Sequence, residues 1–150
     1  MPGPPIVDGK QSSVHGHRAG HDDLVPGLLI VDGNNVMGSR PDGWWRDRAG
    51  ATRRLVEHIG AWAQEVGTDV LVVFDGRPPP GLQAPRGVEL RFAERRGANA
   101  ADDVIAALVA GAAAPGSLCV VTSDAELARR VREHGADVIG ARGFREQLGG

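Results

Sequence analysis

Three short apolar runs constrain the fold of this chain more than any other feature of its sequence. They cover residues 28–31, 70–74 and 118–121, and none of them contains a charged side chain. Continuous apolar stretches of this length are typical of strands buried on both faces, as in the middle of a parallel sheet. Residues 88–92 instead alternate apolar and charged side chains, which predicts an edge strand with one face in water. Residues 138–139 predict a short fifth strand.

Helical periodicity separates these predicted strands. Apolar side chains recur every three or four residues in three segments, so each segment predicts an amphipathic helix with one buried face. The periodic positions are Leu55, Ile59, Trp62 and Val66; Val104, Ile105, Leu108 and Val109; and Leu127, Ala128 and Val131. Ser123 and Glu126 predict a capping box at the start of the third helix, and Gly135 is placed to end it. Phe144 and Leu148 predict a last helical turn.

The order of these elements predicts an α/β fold. Strands and helices alternate along most of the chain, which favours a three-layer sandwich with helices on both faces of a mostly parallel sheet. In such sheets the ligand crevice lies beyond the carboxyl ends of the strands, near the point where the strand order reverses. Functional side chains are therefore expected directly after the apolar runs.

The first 26 residues differ in composition from the rest of the chain. They are rich in proline, glycine and histidine and poor in large apolar side chains, so they cannot bury enough surface to offset the entropy of ordering. We therefore predict a disordered tail over residues 1–26 and one domain over residues 27–150. No apolar run has the length of a membrane span and no secretion signal is recognisable, so we expect no membrane partner and a cytoplasmic location.

Aspartates follow all three apolar runs. Asp32 comes directly after the first run, Asp75 directly after the second, and Asp124 shortly after the third. Asp102 and Asp103 lie at the predicted start of the second helix, after Asn99 as its expected cap. Carboxylates gathered at one edge of a sheet repel one another unless a cation compensates them, and oxygen ligands favour Mg²⁺ or Mn²⁺. The sequence therefore predicts an acidic metal site.

Each of these acids also has a structural interpretation. The dipole of a helix favours acids in its first turn, which applies to Asp102, Asp103 and Asp124. Asp75 begins a sequence typical of a turn. Asp32 has the weakest structural interpretation, because the residues after it do not open an obvious helix. On a helical wheel Asp102 borders the apolar face and Asp103 points away from it, so Asp102 is the better candidate ligand.

Arginine supplies nearly all of the positive charge, since Lys10 is the only lysine. Two groups of arginines predict contacts with phosphates, although their net effect is balanced by acids and the chain carries a formal charge of −2. The first group includes Arg40 and Arg46 and flanks Trp44, whose ring is a candidate for stacking on a base. The second includes Arg95 and Arg96. An ordinary solvated surface explains these arginines about as well.

Four short motifs carry a resemblance to a known family. They are LIVDGNNV at residues 29–36, VVFDG at 72–76, ANAADDVI at 98–105 and VVTSDAEL at 120–127. In this order and spacing they resemble the NYN domains, in particular the YacP-like branch of the PIN-like nuclease superfamily. The resemblance implies a PIN-like sheet with strand order 3-2-1-4-5.

The same resemblance implies a function and a set of site residues. It implies that Asp32, Asp102 and Asp124 bind one or two Mg²⁺ or Mn²⁺ ions, that Asn35 helps to position the ligands, and that Asp75 lies nearby. It also implies metal-dependent endonucleolytic cleavage of RNA. RNA is thus the expected partner, and a homodimer or a ribosomal or RNA-processing partner stays open.

Three other functions compete with a nuclease. Residues 33–40, GNNVMGSR, resemble a phosphate-binding loop, but Ser39 and Arg40 replace its lysine and following hydroxyl. A phosphatase with Asp32 as nucleophile would need a second aspartate where the chain has Asn34. The strongest alternative is a catalytically inactive module that binds RNA or a nucleotide and regulates a partner.

Overall fold

The structure is a computed structural model that describes residues 27–94 and 100–149. The tail predicted for residues 1–26 and the predicted cap Asn99 lie outside these residues. The strands are β1 (Leu29–Asp32), β2 (Val70–Asp75), β3 (Val88–Ala93), β4 (Cys119–Val121) and β5 (Asp137–Ile139). The α-helices are α1 (Gly33–Met37), α2 (Arg48–Val66), α3 (Ala100–Ala110), α4 (Ala125–Arg132) and α5 (Ala141–Leu148). Short 3-10 turns cover Trp44–Arg46 and Pro115–Ser117.

The five strands form one sheet in the order β3-β2-β1-β4-β5. This order confirms the prediction 3-2-1-4-5. All four strand pairs are parallel, so the expectation of a mostly parallel sheet was too cautious. The chain moves outward from β1 on one side through β2 and β3, and on the other side through β4 and β5. The strand order therefore reverses between β1 and β4, where a crevice is expected beyond their carboxyl ends.

Two hydrophobic cores lie on opposite faces of this sheet, as the alternation of β1 shows. Leu29 and Val31 pack into a core with side chains of α1, α2 and α5. Ile30 points the other way, into a core with side chains of α3 and α4. The structure confirms the three-layer sandwich and explains the continuous apolar runs, because central strands covered by helices on both sides have no wet face. Within the described ranges, no helix is long and apolar enough to cross a lipid bilayer.

The start of α4 differs from the predicted capping box. The N-cap is Asp124, whose Oδ1 accepts a hydrogen bond from Leu127 N at 2.9 Å. Ser123 lies one residue too early to cap the helix, and its Oγ accepts from Ala141 N at 2.8 Å instead. Gly135 ends the helical turn in a left-handed conformation, with φ of 97°. The serine thus ties the β4–α4 connection to the first turn of α5.

The start of α1 corrects a second expectation. Asp32 does open a helix, because it is both the last residue of β1 and the N-cap of the short helix Gly33–Met37. Its carboxylate makes no capping hydrogen bond, however, so capping does not explain an aspartate here. Gly33 allows this tight turn from strand to helix: a Cβ at Gly33 would lie 2.5 Å from the ring of Phe74.

Replacing Gly33 with alanine is expected to destabilise the fold. The added methyl group would force Phe74 out of a packed core, which typically costs about 1–3 kcal/mol. Gly143→Ala is the matched control, since Gly143 lies within α5 and an added Cβ meets nothing within 4 Å. That change should be neutral or stabilising by up to about 1 kcal/mol. Thermal unfolding of both variants measures the difference, and equal melting temperatures would contradict the packing argument.

Candidate active site

Four aspartates lie along the carboxyl-terminal edge of the sheet, and we call them the acidic rim. Asp32 ends β1, Asp75 ends β2, Asp124 follows β4, and Asp102 stands in the first turn of α3. Their charges interact: Asp102 and Asp75 raise the pKa of Asp32, while Asp124 and Asp75 raise the pKa of Asp102. The fold therefore brings together acids that are separated by up to 92 positions in the chain.

Asp32 is the most buried member of the acidic rim, with 4% of its surface exposed. Burial is the main cause that raises its pKa from 3.8 to about 7, and the neighbouring carboxylates act in the same direction. Hydrogen bonds oppose the shift. Thr122 Oγ1 donates to Asp32 Oδ2 at 2.8 Å, which lowers the pKa of Asp32. The backbone amide of Asn35 lowers this pKa to a smaller extent, although it does not cap the helix with a full hydrogen bond. The ionised form of a carboxylate buried in this way is unfavourable, and a nearby cation would stabilise it.

Thr122 links two of the acids, and the sequence analysis missed it. It is buried, and its hydroxyl accepts a hydrogen bond from Asp124 N at 3.1 Å while donating to Asp32. Asp124 is fixed further by its capping bond with α4. A hydroxyl two residues before an acid at the end of a strand was the available signal. A single side chain thus links the acid that ends β1 with the acid that follows β4.

The two asparagines of α1 connect the rim to the neighbouring loops. Asn35 Oδ1 accepts from Ser123 N at 2.7 Å, which holds the β4–α4 connection against α1. Asn34 Oδ1 accepts from Asp75 N at 2.8 Å, which does the same for the end of β2. Because a backbone N–H is always a donor, the atom facing it must be the amide oxygen, and each amide nitrogen points elsewhere. Asn35 was predicted at this site, and Asn34 was not.

The carboxylate of Asp75 also stabilises the start of α3 through a hydrogen bond. Its Oδ1 accepts a hydrogen bond from Ala101 N at 2.8 Å, so the carboxylate holds an otherwise unpaired amide in the first turn of α3. This bond fixes the start of the helix that carries Asp102. Asp75 thus fixes the start of α3 and adds negative charge to the rim, and its predicted role beside the metal stays a prediction.

Asp102 and Asp103 have different surroundings, although they are adjacent. Asp102 is partly buried, and its pKa is raised to about 6, first by burial and then by Asp124 and Asp75. Asp103 is exposed and its Oδ1 accepts from Arg130 Nη1 at 3.0 Å. The predicted difference in exposure is therefore confirmed. Asp103 forms an ion pair with Arg130, whereas the charge of Arg130 only partly offsets the effect of the carboxylates of Asp124 and Asp75 on the pKa of Asp102.

The chemistry of the acidic rim fits a hard divalent cation. Its donors are carboxylate oxygens, which Mg²⁺ and Mn²⁺ prefer, and two of them have pKa values raised by burial and mutual repulsion. Among residues 27–94 and 100–149, no group of three acidic, histidine or cysteine side chains is arranged closely enough to hold a metal ion. The carboxylates are near enough to repel one another, but they are spread along an open edge of the sheet. For one metal ion to bind Asp32, Asp102 and Asp124 together, their side chains would have to turn toward one another.

The side chains predicted to contact RNA occupy different places. Trp44 is partly buried and packs against the core, with the Arg48 guanidinium 5.7 Å from its ring centre. Trp45 is 53% exposed and carries Arg46 at 5.8 Å from its ring centre. Arg40 is partly buried, and Arg95 and Arg96 lie outside the described residues. Of the two tryptophans, Trp45 offers the larger surface to a ligand.

Comparison with known proteins explains the four motifs. The sequence model of the YacP-like NYN domain family matches residues 29–149, which include the whole sheet and the acidic rim. The chain belongs to the YacP-like NYN family. Comparison with curated proteins gives no match.

Solved structures of the same family have the same fold. Rae1 (YacP) from Bacillus subtilis is similar to this NYN domain with 25% sequence identity and a TM-score of 0.65, over 81% of this chain and 73% of that one. A point mutant of Rae1 gives 25% identity and a TM-score of 0.64, over 81% and 74% of the two chains. The family and fold predicted from the motifs are therefore confirmed, and the domain is a member of the PIN-like nuclease group.

The metal-free NYN domain is expected to lose stability as the pH rises from about 4 to about 7. The pKa of Asp32 is about 7 in the fold and 3.8 when exposed, so the folded state keeps a proton that the unfolded chain releases. Burial of Asp32 therefore carries no penalty below about pH 3.8, and the penalty is complete above about pH 7. At about 1.4 kcal/mol for each pKa unit, the loss is on the order of a few kcal/mol.

Thermal unfolding with chelator present, from pH 4.5 to 8, tests this prediction. The melting temperature of the native chain should fall across this range more steeply than that of Asp32→Asn, which has no proton to release at this position. Asp102, with a pKa of about 6, adds to the fall in both proteins. Parallel curves for the two proteins would show that Asp32 is ionised in the fold at low pH and that its burial is not costly.

Proposed function

We propose that this NYN domain is a metal-dependent endoribonuclease that hydrolyses RNA phosphodiesters at the acidic rim. The observation that carries the proposal is that Asp32, Asp102 and Asp124 lie along one edge of the sheet near enough for their charges to interact, because Asp102 raises the pKa of Asp32 and Asp124 raises the pKa of Asp102. Membership in a nuclease family supports the same reaction. The cytoplasm, where RNA is available, is the proposed location.

In this proposal Asp32, Asp102 and Asp124 hold Mg²⁺ or Mn²⁺. Such an ion, when bound, supplies an activated water for attack on phosphorus and stabilises negative charge on the phosphoryl and leaving oxygens. The protein's own contribution is positional. Thr122 holds Asp32 and the backbone of Asp124, Asn35 holds the β4–α4 connection, and Asp75 holds the start of α3.

Because the pKa values of Asp32 and Asp102 are raised, protons compete with a cation for these carboxylates. Asp32 at a pKa of about 7 and Asp102 at about 6 are partly protonated near neutral pH in the metal-free protein. A divalent cation favours their charged forms, so it should bind more tightly as the pH rises and release protons when it binds. The same cation removes the repulsion that destabilises the metal-free fold.

A cleavage assay tests the proposed function. Several end-labelled single-stranded RNAs of different sequence are incubated with chelator-treated protein, without metal and with Mg²⁺ or Mn²⁺ restored. We expect internal cleavage only after a metal is restored. Cleavage that is unaffected by chelator would contradict metal dependence, and no cleavage of any RNA with either ion would favour the inactive RNA-binding module.

The double substitution Arg95→Ala and Arg96→Ala is expected to weaken RNA binding. Each lost phosphate contact should lower the slope of log affinity against log salt by about 0.7 for a single strand, because fewer counterions are released. Sequence preference should barely change, since phosphates carry no sequence information. RNA titrations at several salt concentrations measure both quantities, and an unchanged affinity and slope would identify these arginines as ordinary surface charges.

A further inference from the structure

A pocket with a volume of about 230 Å³ opens beside the acidic rim. It lies between the start of α2, the end of β2 and the end of β3, and the loop after β2 forms one wall. Its lining includes Asn34 and Asp75, which are also part of the site described above. A group bound in this pocket would therefore lie next to whatever occupies the rim.

The walls of the pocket combine flat apolar surface with a few polar groups. Phe92 lines it, stacked on the buried Phe74 at 5.1 Å between ring centres, and Pro79 adds a second apolar surface. Asn34 turns its amide oxygen to Asp75 N, so its amide nitrogen is the donor left for a ligand. A planar ring with acceptors on its edge matches these walls better than a flexible chain does.

Positive charge lies at the mouth of the pocket. Arg48 and Arg77 both line it and are both exposed. Phe92 and Asn34 are partly buried, whereas Arg48 and Arg77 are exposed, with the Arg48 guanidinium 5.7 Å from the ring centre of Trp44. This arrangement suits a ligand with a flat polar ring and an attached anionic group.

We propose that this pocket binds one nucleobase of single-stranded RNA, with the adjoining phosphate at Arg48 or Arg77. The inference rests on the proposed function, because it takes the RNA strand that crosses the acidic rim as the ligand. The base stacks on Phe92 and accepts a hydrogen bond from the Asn34 amide. The pocket thereby fixes the register of the strand relative to the rim.

The size of the pocket supports a single base. Pockets for drug-sized molecules usually have volumes of roughly 300–1,000 Å³, so a pocket of about 230 Å³ suits a smaller group such as one base. A second pocket of about 230 Å³ lies between α3 and α4 and serves as a comparison. It is lined by charged side chains, alanines and the imidazole of His134, and none of the described residues that line it is a phenylalanine, tyrosine or tryptophan. Volume therefore does not distinguish the two pockets. The pocket at Phe92 differs by its apolar phenylalanine surface and by its contact with Asp75 of the acidic rim.

Two exposed helical alanines provide a matched pair of variants. Ala49 lines the pocket at Phe92, and Ala107 lines the comparison pocket. Ala49→Phe should fill the proposed base site without changing any acidic residue, and Ala107→Phe adds the same side chain on the opposite side of the sheet. Phe92→Leu is a second variant of the base site, which keeps apolar volume but removes the stacking surface.

The experiment measures binding of adenosine 5′-monophosphate, uridine 5′-monophosphate and ribose 5-phosphate by shifts of backbone amide resonances, with chelator present throughout. The two nucleotides should shift the amides of Gly76 and Arg77 in the native protein and in Ala107→Phe. Ala49→Phe and Phe92→Leu should bind them about tenfold more weakly, and ribose 5-phosphate should bind the native protein about tenfold more weakly than the nucleotides do.

Equal nucleotide affinity in the native protein and both base-site variants would overturn the proposal, as would equal affinity for nucleotides and ribose 5-phosphate. Because chelator prevents metal-dependent turnover, the result does not depend on catalysis. Base binding at Phe92 in a protein that fails to cleave RNA would refute the nuclease function and leave the pocket assignment intact. Metal-dependent cleavage with no base binding here would refute only the pocket assignment.

Discussion

Asp32→Asn and Asp124→Asn are each expected to lower Mg²⁺- or Mn²⁺-dependent RNA cleavage by about a hundredfold or more. An amide is a weaker ligand for these ions and has no negative charge, so the cation loses both a donor and part of its attraction to the site. The fold should survive both changes. Asparagine caps helices about as well as aspartate, so Asp124→Asn can keep the bond to Leu127 N that begins α4.

The stability of the variants separates a functional role from a structural one. Without metal, Asp32→Asn should melt at the same or a higher temperature than the native chain near pH 7.5, because a buried charge is removed. Asp103→Asn is the control, since Asp103 is exposed and paired with Arg130. It should keep cleavage within a few-fold of native. Full cleavage by folded Asp32→Asn and Asp124→Asn proteins would refute the assignment of the acidic rim.

Thr122→Val is expected to have the next largest effect. Valine has nearly the shape of threonine but neither donates to Asp32 nor accepts from Asp124 N, so it removes both hydrogen bonds that link these acids. Loss of a group that orients metal ligands typically lowers activity or metal affinity by about 10- to 100-fold. The unpaired amide and carboxylate should also cost about 1–3 kcal/mol of stability.

Thr122→Ser distinguishes the hydroxyl from the packing of the methyl group. Serine restores the hydroxyl, so cleavage should return to within about threefold of native even if some stability is lost. Cleavage is measured over a range of Mn²⁺ concentrations, because a positioning role should appear partly as weaker metal dependence. If Thr122→Val cleaves RNA as the native chain does at every concentration, the hydrogen bond to Asp32 does not organise the site.

The sheet could be predicted from the sequence because its strands are short, continuous apolar runs. Residues 28–31, 70–74 and 118–121 have no polar side chain that would need water, so burial on both faces was the only arrangement that suited them. The helices followed from their three- and four-residue spacing. The strand order came from the family resemblance, since periodicity alone does not determine which strands are neighbours.

The acids could be predicted because the carboxyl ends of parallel strands meet at one edge. Asp32 and Asp124 needed only the positions of β1 and β4, and Asp102 needed only a helical wheel. The helix beginning at Gly33 could not be predicted, because five residues are too few to show a period. The capping box was wrong because Ser123 and Asp124 are both good caps and only tertiary contacts decide between them.

The supporting contacts required the structure. Thr122, Asn34 and Asp75 each make a hydrogen bond to a segment 26 to 90 positions away, and the partner in such a bond cannot be read from the local sequence. The pocket at Phe92 also could not be predicted from the sequence. Phe92 looked like the apolar face of an edge strand, and only its place beside Asn34 and Asp75 indicates a further use.

Location of the metal tests the central claim most directly. Crystals of the native chain are grown or soaked with Mn²⁺ at a concentration that supports RNA cleavage, and the anomalous scattering of manganese is measured. We predict the strongest anomalous peak among the carboxylates of Asp32, Asp102 and Asp124, and no peak there in Asp32→Asn under the same conditions. A fully occupied manganese elsewhere in the domain, with none at the acidic rim, would contradict the account.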